Sequence, residues 1–287
     1  MFSIRNLIAL SFLFFFLLIP GCSSQSIPIL NFSWETPSAL SVPESVCYDA
    51  ADHQLFVSNI DGDPSGVDSS GFISILSLDG HIEQLHWLDG LNAPKGMGIS
   101  DGRLYVADIT RVAEIDIASG KILAFYPAEG SEFLNDICVT KDGDILISDT
   151  NTKRIYRLRD SQMSLWLEAG ELAGANGLYC DAGQLCMVSF TTGNFYKIGL
   201  SNEKVKPFSS GLGAADGLEA IGNGDYLVSN WNGQVNYVRS NGELIELLNT
   251  EKDQINAADI ELIPSEKLLL IPTFFDNRVR AYQLTYH

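Results

Sequence analysis

Asp142-Gly143-Asp144-Ile145-Leu146-Ile147-Ser148-Asp149, followed by Arg154-Ile155-Tyr156-Arg157-Leu158-Arg159-Asp160, is the stretch that decides the fold. An Asp-Gly turn opens it, a short apolar strand runs into an Ile-Ser-Asp triplet, and a second strand alternates apolar with charged residues. Period-two alternation bounded by such turns is the pattern of antiparallel hairpins. The triplet recurs as Val57-Ser58-Asn59, Val106-Ala107-Asp108, Val188-Ser189-Phe190 and Val228-Ser229-Asn230, with Ile271-Pro272-Thr273 as a degenerate sixth copy. The middle residues stand at 58, 107, 148, 189, 229 and 272, so the spacings are 49, 41, 41, 40 and 43. Turn signals at Asp101-Gly102, Ala182-Gly183 and Asn223-Gly224 precede three of the other copies. Six units of about 40 residues, each with four strands, predict an all-β, six-bladed β-propeller over residues 29–287. The last unit, 257–287, has only three strands of its own. Pro28-Ile29-Leu30-Asn31-Phe32-Ser33-Trp34 is expected to supply the fourth, closing the ring and hiding its open edges.

Composition agrees with a large packed domain. Of 287 residues 46% are hydrophobic and 19% charged, which excludes a disordered chain. The formal charge is −18, from 18 Lys and Arg against 36 Asp and Glu. Such a surface repels phosphate backbones, so no nucleic-acid partner is expected, and divalent cations are favoured over anions as ligands. No Walker or G-x-G-x-x-G loop is present, so a nucleotide-binding function has no support.

The N-terminus reads as an address. Arg5 precedes the apolar run Leu7–Ile19, whose thirteen residues would cover roughly 20 Å as a helix. That is short of the ~30 Å hydrocarbon core, so the run is a signal-peptide core rather than a membrane span. It ends in Ile19-Pro20-Gly21-Cys22-Ser23-Ser24, which resembles a bacterial lipobox. The resemblance implies a signal peptide over 1–22, lipidation of Cys22, a linker over 23–28 and attachment to the cell-envelope membrane through the lipid alone. Ser23 after the cysteine resembles sorting to the outer membrane, facing the periplasm. The alternative, an ordinary secretory signal with an incidental cysteine, also exports the protein. The other cysteines, Cys47, Cys138, Cys180 and Cys186, form no C-x-x-C pair, which argues against zinc and thioredoxin-like sites. Cys180 and Cys186 flank a short turn, so two readings are open: a local disulfide between them, or small buried hydrophobes on strands.

In a propeller the innermost strand of each blade starts beside the central channel on one face. Residues at these starts converge on the axis although they are far apart in sequence. Counting back 13 to 15 positions from each triplet gives Glu44, Lys95, Asn135, Asn176 and Asp216, with Ala258 or Asp259 in the sixth blade. Glu44, Asn135, Asn176 and Asp216 are hard oxygen donors, suited to one divalent ion, Ca²⁺ before Mg²⁺, Mn²⁺ or Zn²⁺. The competing explanation is a polar ring that bonds to itself and to trapped water.

The repeat and this quartet resemble the senescence-marker-protein/gluconolactonase (regucalcin-like) family, with diisopropyl fluorophosphatases and paraoxonases as more distant relatives. The similarity runs from about Pro43 to the C-terminus. It implies that Glu44, Asn135, Asn176 and Asp216 hold one divalent metal and that Asp216 is the general base of a lactonase. Two departures limit what it implies about substrate. Sugar-acid lactonases of the family place an arginine two residues before the third-blade asparagine, where this chain has Phe133. None of the four histidines adjoins an anchor, so the paraoxonase dyad has no counterpart.

The resulting expectation is a metal-dependent hydrolase of lactone-like or ester small molecules. The metal would act as Lewis acid, Asp216 would activate water, and Lys95 would either stabilise the oxyanion or form a structural ion pair. Asp136 and Asp259 are expected to support the site from behind. Phe190, Trp231, Phe274 and Phe275 would either form an apolar wall for a hydrophobic or aromatic substrate or pack among the loops. Residues 61–70 account for the long first spacing and could cover the metal face. They mimic an EF-hand loop, but Phe72 stands where a bidentate Glu is required, so no second calcium site of that kind is expected. Gly98-Ile99-Ser100-Asp101-Gly102 satisfies G-x-S-x-G only by lying on a hairpin, so no serine hydrolase is indicated. The alternative function is a non-catalytic propeller that binds a peptide, glycan or protein partner in the envelope.

Overall fold

The computed structural model describes residues 26–181 and 183–286. The signal segment and Cys22 lie outside the described residues. Six four-stranded antiparallel sheets form a six-bladed β-propeller, and its only helical pieces among the described residues are three short 3₁₀ turns. No helix among these residues is long and apolar enough to cross a membrane. Blades one to five are simple meanders, running outward from inner strands Pro43–Asp49, Pro94–Ser100, Leu134–Val139, Ala175–Asp181 and Ala215–Gly222. The sixth has Glu261–Ile263 innermost, then Leu268–Pro272 and Val279–Tyr286, with Pro28–Glu35 as its outer strand. That N-terminal strand pairs antiparallel with the last one, from Pro28 opposite Tyr286 to Glu35 opposite Arg280, so the ring is closed as the sequence predicts.

One apolar cluster fills each of the six wedges between neighbouring blades. Phe56, Ile73 and Val106 join blades one and two, while Leu55, Leu270 and Val279 join six to one. The period-two pattern produces this directly, because each strand in the middle of a blade sends alternate side chains into the wedge on either side. Each fully buried Leu, Ile or Phe contributes about 1.5–3 kcal/mol, and the ring has no free edge at which to lose it. Trp34 of the closing strand covers the turn at Gly80, where a Cβ would meet its ring at 2.4 Å.

The cysteine pairing differs from the local bridge. The disulfide joins Cys138 to Cys180, across the inner strands of blades three and four, with Cα atoms 5.8 Å apart. Cys186 lies directly opposite Tyr179, one residue out of step with Cys180, so the two cysteines leave opposite faces of the sheet. Cys180 packs toward blade three and Cys186 toward blade five. Cys47 and Cys186 are free and buried, as small hydrophobes. The bridge closes a 42-residue separation. Replacing both Cys138 and Cys180 by Ala should lower the unfolding free energy by roughly 2–4 kcal/mol, and reductant should do the same to the parent. Unchanged denaturation midpoints in both experiments would show that the bridge does not constrain the unfolded chain.

Candidate functional site

The five polar anchors owe their position to a repeated irregularity. In blades one to five, two residues of the inner strand stand opposite one residue of the next. Glu44-Ser45 faces Ser58, Lys95-Gly96 faces Ala107, Asn135-Asp136 faces Ser148, Asn176-Gly177 faces Val188, and Asp216-Gly217 faces Ser229. Each is a β-bulge, which re-aims a side chain and leaves an amide out of the ladder. Three triplet serines take up that amide: Ser58, Ser148 and Ser229 accept the N–H of Ser45 (2.9 Å), Asp136 (2.9 Å) and Gly217 (2.7 Å) through their hydroxyls. The last residue of the triplet ties down the loop before the anchor. Asn59 accepts from Ser41 N–H, Asp108 from Asn92 and Ala93, and Asp149 from Glu132 and Phe133.

Blade four shows where the alignment by sequence slips. Ala175 pairs with Ser189, as Leu134 pairs with Asp149, so its triplet is Met187-Val188-Ser189 rather than Val188-Ser189-Phe190. Ser189 therefore plays the tying role, donating to Ala173 C=O at 2.7 Å. The sixth blade is also resolved. Ala258 is buried in a cluster with Ile60, Ala93, Ile109 and Phe274. The Asp259 carboxylate turns away to accept from the Ser45 hydroxyl at 2.6 Å.

The glycines after three anchors have a packing cause. A Cβ at Gly96 would lie 2.5 Å from Asp136 Cα, one at Gly177 2.1 Å from Asp216 C=O, and one at Gly217 2.3 Å from Ile260 N. Only glycine lets neighbouring inner strands approach this closely.

Glu44, Lys95, Asn135, Asn176 and Asp216 line one cavity of about 370 Å³, together with Phe133, Thr150, Ile60, Pro64 and the loop aromatics. One oxygen of each of the four expected ligands, Glu44 Oε2, Asn135 Oδ1, Asn176 Oδ1 and Asp216 Oδ1, is buried without any hydrogen-bond partner. A buried acceptor left unpaired costs about 1–3 kcal/mol, so four of them on one pocket floor is a concentrated deficit. Asn135 shows how an oxygen is aimed: its Nδ2 donates to Thr150 Oγ1 at 3.1 Å, and that hydroxyl donates to Ala175 C=O at 2.9 Å. Thr150 is a positioning residue that the sequence reading missed, although it directly follows a triplet. Burial above all, then the charges of Asp216 and Asp259, push the Glu44 carboxyl well up, and burial followed by Asp259 does the same to Asp216. Two carboxylates that resist ionisation beside two amide oxygens suit a hard divalent cation, whose charge inverts that balance. Among the described residues no group of three His, Cys, Asp or Glu could hold a metal; this quartet has only two carboxylates, with Asn135 and Asn176 as its other members.

Lys95 is 1% exposed. Its ammonium donates to Pro64 C=O (2.8 Å) and Ala93 C=O (2.9 Å) and lies 4.4 Å from the Phe133 ring centre. Burial pulls it down to about 8, against the field of Glu44. No carboxylate reaches it within 4 Å among the described residues, so the expected alternative of an ion pair gives way to bonds with carbonyls that fasten the 61–70 loop over the pocket. Phe190, Trp231, Phe274 and Phe275 form one edge-to-face group around Trp231, with centroids 6.5, 5.5 and 5.9 Å from its ring. A larger cavity of about 530 Å³ lies among Tyr179, Ile221, Lys267 and Tyr286, but among the described residues no buried, unpartnered polar side-chain atom belongs to its lining.

No protein-family model matches the chain, and no curated protein does. Solved structures do. A gluconolactonase from Xanthomonas campestris is 16% identical, with a TM-score of 0.68 over 86% of this chain and 87% of that one. A virginiamycin B lyase from Staphylococcus aureus is 14% identical, with a TM-score of 0.66 over 90% of this chain and 100% of that one. A streptogramin B lyase is 11% identical, with a TM-score of 0.65 over 91% and 98%. At these identities the likeness is one of fold. The chain is a six-bladed propeller with a polar pocket at its channel mouth, and gluconolactonases are among its structural neighbours.

Calcium titration of residues 26–287, which contain every strand, should show one site per chain after chelation. Glu44→Gln, Asn135→Ala and Asp216→Ala should each weaken it, and unchanged affinity in all three would overturn the ligand set. A second test concerns the acids further along the inner strands. Burial raises Glu219 well above its ordinary range, and Glu261 goes from 4.5 to about 8. A raised carboxyl holds more protons folded than unfolded between those values. Its stabilising contribution is therefore complete below about 4.5 and is lost as pH rises toward 8. The melting temperature of the metal-free protein should fall across that interval, and Glu261→Gln should flatten the slope; identical slopes would exclude Glu261 as the cause.

Proposed function

We propose that this protein is an exported, lipid-anchored, divalent-metal-dependent hydrolase of lactone or ester substrates. The observation that carries the reading is the set of four orphaned oxygens, one from each of four blades, on the floor of a single pocket. Glu44, Asn135, Asn176 and Asp216 would hold the cation, with Ca²⁺ the first candidate and Mg²⁺, Mn²⁺ or Zn²⁺ the others. A cation held there supplies Lewis-acid polarisation of a substrate carbonyl. Asp216 would accept a proton from the attacking water as its oxygen adds to the carbonyl carbon. The bond from that carbon to the alcohol oxygen then breaks, and Asp216 returns the proton to the departing alkoxide, leaving an acid and an alcohol. Lys95 has a third N–H beyond the two given to carbonyls, available to a developing oxyanion. Export is supported by the signal-like N-terminus and by the Cys138–Cys180 bridge, since disulfides persist in oxidising compartments.

The test is hydrolysis by the calcium-loaded protein of a panel of lactones and carboxylic esters, followed by proton release. Asp216→Asn keeps an oxygen donor but no base, so kcat should fall by about 10²-fold or more. Absence of hydrolysis with all four ions, despite stoichiometric metal binding, would overturn the catalytic reading and turn attention to envelope partners.

A further inference from the structure

We infer that the pocket selects a ligand whose non-reacting part is an uncharged apolar group, aryl or alkyl, and that it discriminates against polyhydroxylated lactones. The inference names the substrate class of the hydrolase reading and rests on that reading for the reaction alone; the choice of ligand rests on the walls.

Above the four oxygens, the Trp231 indole carries one N–H donor, and the other polar side chains lining the cavity are Lys95 and Thr150. Both are largely spent. Lys95 gives two of its N–H groups to Pro64 and Ala93, and Thr150 donates to Ala175 while accepting from Asn135. With the four oxygens taken up by a cation, a sugar lactone bound here would bury several hydroxyls with few partners, and each unpaired group costs about as much as a lost hydrogen bond. The remaining walls are apolar. Phe133 and Pro64 lie beside Lys95, and Ile60 and the Trp231 group complete the lining. Phe275 is 61% exposed at the rim and Phe190 is 36% exposed, so large apolar surface stays wet until something covers it. Phe274 sits in the left-handed region at φ 49°, a conformation that costs a bulky residue of order 1–3 kcal/mol and persists only where its surroundings hold it. Here the rings of Trp231 and Phe275 hold it, at 5.5 and 4.8 Å between centroids.

Matched six-membered lactones test this. Dihydrocoumarin carries a benzo ring, and glucono-1,5-lactone carries hydroxyls. Each is titrated into calcium-loaded Asp216→Asn residues 26–287, which keep the four oxygen donors but lack the proposed base, while tryptophan emission is followed, with Trp231→Phe added as the blank for Trp34, Trp87 and Trp166. Dihydrocoumarin should quench saturably and bind at least about tenfold tighter than gluconolactone, and Phe275→Ala should weaken it by about three- to tenfold. Equal or tighter binding of gluconolactone, or no quenching by dihydrocoumarin, overturns the inference. Because Asp216→Asn lacks the proposed base, this readout is separate from catalysis. Quenching without hydrolysis under any of the four ions would leave the apolar pocket standing and overturn the hydrolase reading. Preferential hydrolysis of gluconolactone would do the reverse.

Discussion

A bulge in the inner strand, repeated in five blades, places every anchor of the candidate site. Wherever the inner strand bulges, one N–H falls out of the ladder, and in blades one, three and five a triplet serine takes it up. In these three blades the hydroxyl keeps the bulge from burying an unpaired donor, while blades two and four bulge in the same way opposite Ala107 and Val188. A regular ladder would turn Glu44, Asn135 or Asp216 by one position, away from the channel mouth, because the side-chain period of a strand is two. The repeat that marks the fold in the sequence is thus also the device that builds the pocket floor.

The ring geometry then imposes an electrostatic burden. Six strands meeting at an axis bring their side chains close, and here they bring Glu44, Asp216, Asp136, Asp259, Glu219 and Glu261, whose carboxyls are all pushed up by burial. Two of these acids are relieved locally. Asp136 accepts from Ile137 and Leu178 N–H, both at 2.6 Å, and Asp259 accepts from Ser45. Glu44 and Asp216 keep an orphaned oxygen each. The fold thus satisfies Asp136 and Asp259 but leaves one oxygen of Glu44 and of Asp216 unpaired, beside two amide oxygens in the same state, in a pocket that a ligand can enter.

The fold was legible because its signals are local and repeated. Triplets, turns and alternation all lie within a single hairpin, and the closing strand was identifiable because the sixth unit lacked one. The anchors were legible by counting, which survives an error of one residue: the slip in blade four still led to Asn176. The disulfide was not legible, because it joins two blades and depends on which face of a strand each sulfur leaves. The role of Lys95 was half legible; its place followed from position, but its partners are carbonyls, which carry no side-chain signature. Asn-Gly and Asp-Gly pairs proved to have two meanings. At 223–224 the pair is a hairpin turn, whereas at 176–177 and 216–217 the glycine lies in a strand, against the backbone of the next blade.

Lys95 and Phe133 are best understood as one feature. A sugar-acid lactonase of the resembled family carries its cation at the position of Phe133, pointing into the pocket. In this chain the cation enters from the second blade, is anchored by two carbonyls and lies under the Phe133 ring. An arginine at 133 would bring a guanidinium beside that buried ammonium, a like-charge contact more costly than at the surface. The two residues therefore constrain each other. While Lys95 fastens the 61–70 loop, position 133 is best filled by an uncharged ring whose face attracts the ammonium. That same ring leaves position 133 without a charged group, so the loop tether and an uncharged wall occur side by side in the pocket.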